Sequence, residues 1–227
     1  MRFPAAVPAV VSIAAALLSA CSGDLATLQP EGPAAGAVAR LWWIMLAGSA
    51  VLFLAVGAVL LVAWIAPAWL GPSPARRLVL WGGLVMPSVV LVALVTTAFA
   101  LGEALLMRSD REPLRIEAAA RMWSWEFRYP ENEGGTTENV LHIPAGRDVE
   151  FVVTSADVIH SFWVPRLGGK IDAIPGHVNR IRLRADRPGR YGGVCAEFCG
   201  EGHPAMRFTV EAHAADDYAA VLAREAR

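Results

Sequence analysis

Cysteine is scarce in this chain of 227 residues, with three in all, at positions 21, 195 and 199. That excludes a disulfide-stapled scaffold, so each cysteine has to be explained by its own surroundings. Charge is scarce as well, at 18% of residues, and it is balanced to a formal net charge of -1. No basic excess exists to draw a phosphate backbone from a distance, which excludes nucleic acid as a partner. No internal repeat is visible, and the absence of a CxxCH motif excludes a fused c-type haem. What the chain has in excess is apolar residues, 55% of the total. That is too many for a disordered or an ordinary cytosolic protein.

The apolar residues are concentrated near the N-terminus. Residues 1–20 carry one charge, Arg2, and a small-residue aliphatic stretch too short to cross a hydrocarbon core of ~30 Å, the pattern of a secretory signal. It ends in Leu18-Ser19-Ala20-Cys21. This resembles the bacterial lipobox, which implies that Cys21 is acylated and becomes the mature N-terminus. Residues 21–40 are rich in Ala, Gly and Pro without periodicity and read as an exposed linker.

Residues 41–75 contain no charge, and residues 41–66 are long enough to span a bilayer as a helix at ~1.5 Å per residue. Trp42, Trp43, Trp64 and Trp69 lie near the ends of that run, as interfacial aromatics do. A second uncharged run covers residues 78–102, with Arg76 and Arg77 before it and Glu103 after it. Together, residues 41–102 read as a two-helix transmembrane hairpin. Its loop holds two arginines and no acid, which places the loop in the cytoplasm and both ends outside. Pro87 removes a backbone hydrogen bond within the second span and predicts a kink.

Residues 103–227 form a separate extracytoplasmic domain. Val149, Phe151 and Val153 alternate with polar neighbours, as do Ile181 and Leu183, which is the period-two pattern of half-wet strands. Further strands are predicted over residues 114–129, 139–143, 161–164, 190–194 and 207–211. Turn signals at Pro144-Ala145-Gly146, Gly168-Gly169, Pro175-Gly176 and Pro188-Gly189 separate them, and only residues 214–227 look helical. A small β-sandwich or barrel is expected.

The sharpest local feature is Cys195-Ala196-Glu197-Phe198-Cys199-Gly200-Glu201-Gly202-His203-Pro204-Ala205-Met206. Two thiols, an imidazole and a thioether fall within one short loop. Cysteine and histidine alone suit zinc equally well, and a nearby cysteine pair in an oxidising compartment also suits a disulfide. Met206 is what favours copper, since zinc gains nothing from a thioether.

This loop resembles the dinuclear copper loop of cytochrome c oxidase subunit II. Asp157-Val158-Ile159-His160-Ser161-Phe162 is similar to that family's segment bearing the first histidine ligand. Lys170-Ile171-Asp172-Ala173-Ile174-Pro175-Gly176, Arg187-Pro188-Gly189-Arg190-Tyr191 and Met122-Trp123-Ser124-Trp125 resemble it in order and spacing, across both spans and the outer domain. The resemblance implies a cupredoxin-like Greek-key sandwich or barrel holding two copper ions of the CuA type. Cys195 and Cys199 would bridge them, His160 and His203 would each give one nitrogen, and Met206 and the Glu197 carbonyl would complete the set. It further implies that Trp123 takes electrons from cytochrome c and that Asp157 belongs to the docking surface. The Glu197 carboxylate would reach a magnesium ion shared with haem-bearing subunit I.

The implied protein is one subunit of an oxidase in the bacterial plasma membrane, in contact with lipid, other oxidase subunits and cytochrome c, and not catalytically complete alone. A stand-alone copper-binding or copper-delivery module is the rival, and a quinol oxidase subunit II would be expected to lack the copper ligands. His177 stands where the family usually has an arginine, and residues 78–87 lack the acid the family often carries there. His142, His177 and His213 read as surface or satisfied strand positions.

Overall fold

The computed structural model describes residues 22–70, 72–106, 112–130 and 135–225. The signal segment of residues 1–20 and Cys21 lie outside the described residues. The chain divides into an apolar unit, Arg40–Arg108, and a second unit built from the segments on either side of it.

The apolar unit continues helix α1 (Pro33–Ile65), followed by a 3₁₀ turn (Pro67–Leu70), helix α2 (Pro72–Leu80), a π turn (Trp81–Val85) and helix α3 (Met86–Leu106). Two stretches, Pro33–Ile65 and Ala75–Gly102, are long and apolar enough to cross a membrane, and the most apolar window of each is 0% buried. A helix from a soluble core would bury such residues. Here they stay uncovered, a surface suited to lipid rather than to water. The few hydroxyls on these helices, Ser49, Ser88, Thr96 and Thr97, donate back to carbonyls one turn earlier and so need no water.

One turn upstream of Pro87, where the sequence predicts a kink, the helix widens into the π turn. The Met86 N–H reaches the Trp81 carbonyl, an i to i−5 bond, and the wider turn runs through Gly82 and Gly83. Widening the helix there removes the clash that a proline ring makes with the carbonyl of residue i−4.

The second unit is a sandwich of two five-stranded sheets. One sheet has the order β3 (Gly135–Glu138), β2 (Ser124–Tyr129), β1 (Leu114–Arg121), β5 (Val149–Ser155), β8 (Asn179–Leu183). The other has the order β4 (Val140–Pro144), β10 (Arg207–His213), β9 (Gly189–Cys195), β6 (His160–Trp163), β7 (Lys170–Ala173). Pairing is antiparallel except for β1 with β5 and β4 with β10. Helix α4 (Ala215–Glu225) packs on β4 and buries Tyr218 and Leu222.

Trp125, Phe127, Phe151, Phe162 and Phe208 meet between the sheets, with ring centroids of neighbouring pairs 5.0–5.7 Å apart for the closest contacts. Each is inward because the strand period is two, and each buried ring contributes about 1.5–3 kcal/mol.

Two expectations change. Residues 114–129 form two antiparallel strands rather than one, because the chain turns at Met122–Trp123 and pairs Arg121 with Ser124. Residues 22–40 are not an exposed linker in the structure. Residues 22–32 lie on the sandwich, and α1 begins at Pro33. Glu31 bonds Arg166 and Arg187 at 3.1 and 2.8 Å, and its backbone exchanges hydrogen bonds with Arg166 and Asp186. Gly32 fits only without a side chain, since a Cβ there would sit 2.4 Å from the Arg184 carbonyl oxygen.

Candidate metal centre

Three pieces of chain converge at one end of the sandwich. Strand β6 opens on His160, β9 closes on Cys195, and the loop after β9 carries Glu197, Cys199, His203 and Met206 before β10 starts. Phe162 pairs with Cys195 across β6 and β9, which sets His160 two residues along the same strand, facing the loop. The Ala196 N–H donates to the Ser161 carbonyl, and the Cys195 N–H donates to the Met206 carbonyl, closing the loop on itself.

The donor atoms are close. Cys195 Sγ lies 3.8 Å from His160 Nδ1 and 3.8 Å from Cys199 Sγ. Cys199 Sγ lies 3.8 Å from His203 Nδ1 and 3.7 Å from Met206 Sδ, and the Cys195 thiol is 3.2 Å from the Glu197 carbonyl oxygen. A disulfide needs its sulfurs at about 2.05 Å. A separation of 3.8 Å is instead what two thiolates reach when each lies ~2.3 Å from a shared metal ion in near-tetrahedral geometry. Both cysteines are free thiols. His160, Cys195, Cys199 and Met206 are buried, so these donors face one another rather than water. The residues present fit a soft metal held by thiolate, imidazole and thioether.

Burial, followed by the neighbouring Cys195 sulfur, pushes the Cys199 thiol up to about 11. Without metal it is therefore a neutral thiol at physiological pH, and metal binding must expel its proton.

Asp157, expected on a docking surface, is an exposed residue whose carboxylate is engaged by His160 and Met122. Oδ1 lies 2.8 Å from His160 Nε2, and Oδ2 accepts from the Met122 N–H at 2.7 Å. Burial alone would raise its pKa, but the Met122 N–H, His160 and the Val158 N–H outweigh it and hold the carboxyl at about 2. A carboxylate on Nε2 leaves Nδ1 as the nitrogen that faces the thiols, which fixes the ring for coordination. Sequence reasoning missed this role. The i, i+3 spacing of Asp157 and His160 was its only signal.

Trp123 donates Nε1–H to the Cys199 carbonyl at 3.0 Å while 44% of its surface stays exposed. Its ring lies on Gly202, where a Cβ would come within 2.3 Å of the indole, so glycine there is what lets the ring reach the ligand loop. The Glu197 carboxylate stands beside Lys170, 3.8 Å from Nζ, on the exposed side of the loop. His177 is exposed. His142 and His213 are hydrogen-bonded strand residues, as expected; His142 is buried and meets His213 at 2.9 Å.

The family described as cytochrome c oxidase subunit II, periplasmic domain, matches residues 133–213. Cytochrome c oxidase subunit 2 of Alkalihalophilus pseudofirmus is 40% identical over 140 residues, covering 59% of this chain and 40% of that protein. Quinol oxidase subunit 2 of Bacillus cereus is 33% identical over 215 residues, covering 88% of this chain and 73% of that protein. The chain thus spans less than half of the first relative and about three quarters of the second. The crystal structure of the periplasmic domain of subunit II of cytochrome oxidase from Bradyrhizobium japonicum is 29% identical, with a TM-score of 0.49, covering 52% of this chain and 95% of that one. With a quinol oxidase subunit matched along most of its length and the cytochrome c oxidase domain matched from β3 through the ligand loop to β10, this chain belongs to the subunit II family of haem–copper oxidases.

Proposed function

We propose that the chain is the electron-accepting subunit of a membrane-bound cytochrome c oxidase and holds a dinuclear copper centre. Cys195 and Cys199 would bridge two copper ions, with His160, His203, Met206 and the Glu197 carbonyl completing the set. One observation carries this reading: six donors of the required kinds, from β6 and the loop after β9, converge within hydrogen-bonding or van der Waals reach of the paired thiols. When bound, the copper pair supplies one-electron storage shared over both ions, which keeps bond-length changes small.

The rest is done by the chain. The sandwich fixes β6 against β9, so the donors are held before the metal arrives and little reorganisation is needed afterwards. Asp157 orients His160. Trp123 offers an exposed indole bonded directly to the backbone of a thiol ligand, a short route from surface to site. Met122, Trp123, Val158, Ile159 and Phe198 leave exposed apolar side chains on the loops around the donors. That surface suits docking of a cytochrome c through apolar contact. With both Asp157 oxygens held by His160 and the Met122 N–H, electrostatic steering should be weak and the docking only mildly salt-dependent.

In the same reading the spans sit in a bacterial plasma membrane with the β domain on the periplasmic side. Electrons pass on to haem in subunit I, where oxygen is reduced to water, and Glu197 reaches toward a magnesium ion at that interface. Residues 1–20 direct export, and Cys21 is acylated, which the mass of the mature N-terminus would reveal.

The oxidase containing this chain, purified and supplied with reduced cytochrome c, tests the proposal. Oxygen uptake should follow cytochrome c oxidation and fall when Trp123→Leu removes the indole. Uptake driven by quinol alone and indifferent to that substitution would contradict the cytochrome c assignment. Recovery of the chain always without a haem protein would favour a copper-delivery module.

A further inference from the structure

We propose that β4 and β10 carry a second metal site, built from His142, Glu211 and His213, that takes a borderline divalent transition ion, zinc foremost. It shares no residue with the sulfur cluster. Glu211 lies five residues beyond Met206 along β10, or about 17 Å at the rise of an extended strand.

The register brings the three residues together. β10 pairs in parallel with β4 so that Glu211 stands opposite His142. His213 follows Glu211 by two residues and therefore faces the same way. The intervening Ala212 and the flanking Val210 are buried among the core residues, so Glu211 and His213 point to the outer side of the sheet.

There His142 Nδ1 is 2.9 Å from His213 Nε2 and 3.8 Å from Glu211 Oε2, and the three donor atoms all lie within 4.8 Å of one another. Tetrahedral bonds of ~2.0–2.1 Å hold two ligand atoms about 3.3 Å apart, and the observed separations fall on both sides of that figure. Small side-chain rotations would bring all three onto one ion.

The backbone under these donors is fixed. The His142 N–H donates to Tyr129 Oη at 2.9 Å, and the His213 carbonyl accepts from the Ala145 N–H at 2.8 Å. The second carboxylate oxygen of Glu211 faces Arg190 Nε at 3.6 Å, which orients Oε2 toward the imidazoles. Arg190 is itself largely exposed, so water screens its charge from the site. His142 is buried, whereas Glu211 and His213 are half-buried, leaving a solvent-side approach for an ion and a fourth position for water.

Chemistry selects the ion. Two imidazoles and a carboxylate with no sulfur disfavour copper(I) and form a recognised zinc ligand set with an open position. Magnesium and calcium would demand more oxygen donors than the three residues offer. An ion here would clip β4 to β10 beside the start of α4, so it should stabilise the folded domain in proportion to its occupancy.

The test uses the full chain in detergent. In a Cys195→Ser/Cys199→Ser background the sulfur cluster cannot compete, and zinc is titrated against a chromophoric chelator. One zinc per chain is expected, with a rise in Tm. Glu211→Gln should weaken binding at least tenfold, and His213→Asn, at a half-exposed strand end, should abolish it. The intact chain loaded with copper provides a parallel measurement should the double variant fold poorly. Cobalt(II) then reports the site by its visible absorption, and His213→Asn should remove that band. No metal beyond the sulfur cluster, or zinc binding unchanged in His213→Asn, would overturn the proposal and leave a plain imidazole–imidazole hydrogen bond. Neither result bears on the copper assignment.

Discussion

The two donor clusters of the β domain differ in how the chain assembles them. The sulfur cluster takes five of its six donors from one twelve-residue loop and adds a single histidine from β6. The imidazole–carboxylate cluster joins residues 71 positions apart through a parallel strand pairing. The first is buried among thiols and selects a soft metal by donor chemistry. The second lies on the outer face of a sheet, half in water, and selects a harder one. A contiguous loop announces its chemistry in the order of its residues. A cluster made by strand register becomes visible only when the strands are placed.

Removing one sulfur should separate the clusters most sharply. Cys199→Ser takes away a sulfur that contacts three other donors, so on the proposed reading copper binding and cytochrome c oxidation should be lost to background. Zinc binding at His142 and His213 should survive. Metal analysis of the purified variant checks both halves, and a thermal melt decides whether joint loss means an unfolded domain or, where the domain is folded, the absence of the second site.

Acidity comes next. Cys199 is pushed to about 11, so its proton must leave when metal binds. Copper affinity should therefore rise with pH, about tenfold per unit for each thiol proton released. Competition against a chelator at pH 6 and pH 8 measures the slope, and a flat profile would mean that the thiols do not coordinate as thiolates.

Asp157→Asn should lower copper affinity about 10–100-fold, the usual effect of losing the hydrogen bond that orients a ligating histidine. The same carboxylate ties stability to pH in the metal-free protein. Its folded value of about 2 lies below the ~3.9 of an unfolded aspartate. The stabilisation is thus present above the unfolded value and lost as pH falls toward 2. Thermal melts between pH 5 and pH 2 should show that loss in the parent and a smaller one in the variant.

The smallest effect concerns the strap before α1. Glu31→Gln exchanges two charge-assisted contacts, to Arg166 and Arg187, for neutral ones and should destabilise the domain by about 1–2 kcal/mol in a denaturant titration. Both metal affinities should stay unchanged, because Glu31 touches neither cluster.

The sulfur cluster was legible in the sequence because all its donors but His160 lie in one loop and because a thioether beside paired thiols has few other uses. The spans were legible from length and absence of charge, and most strands from alternation. The features that escaped share a cause. β3 (Gly-Thr-Thr-Glu) has no apolar residue and β7 (Lys-Ile-Asp-Ala) alternates over only four residues, too few to stand out before sheet pairing defines them. The turn at Met122–Trp123 contains no glycine, proline or asparagine to mark it. The strap of residues 22–32 reads as a linker by composition, yet Glu31 docks because two arginines distant in sequence meet it. Asp157 is a surface acid whose contact with His160 escaped the sequence because its partners, Met122 and His160, are brought together only by β1, β2 and β6.

The account stands on two thiolates sharing two copper ions. Electron paramagnetic resonance of the copper-loaded chain tests this directly. Hyperfine structure arising equally from two copper nuclei is the predicted result. Splitting from a single nucleus would contradict it and reduce the centre to a mononuclear site.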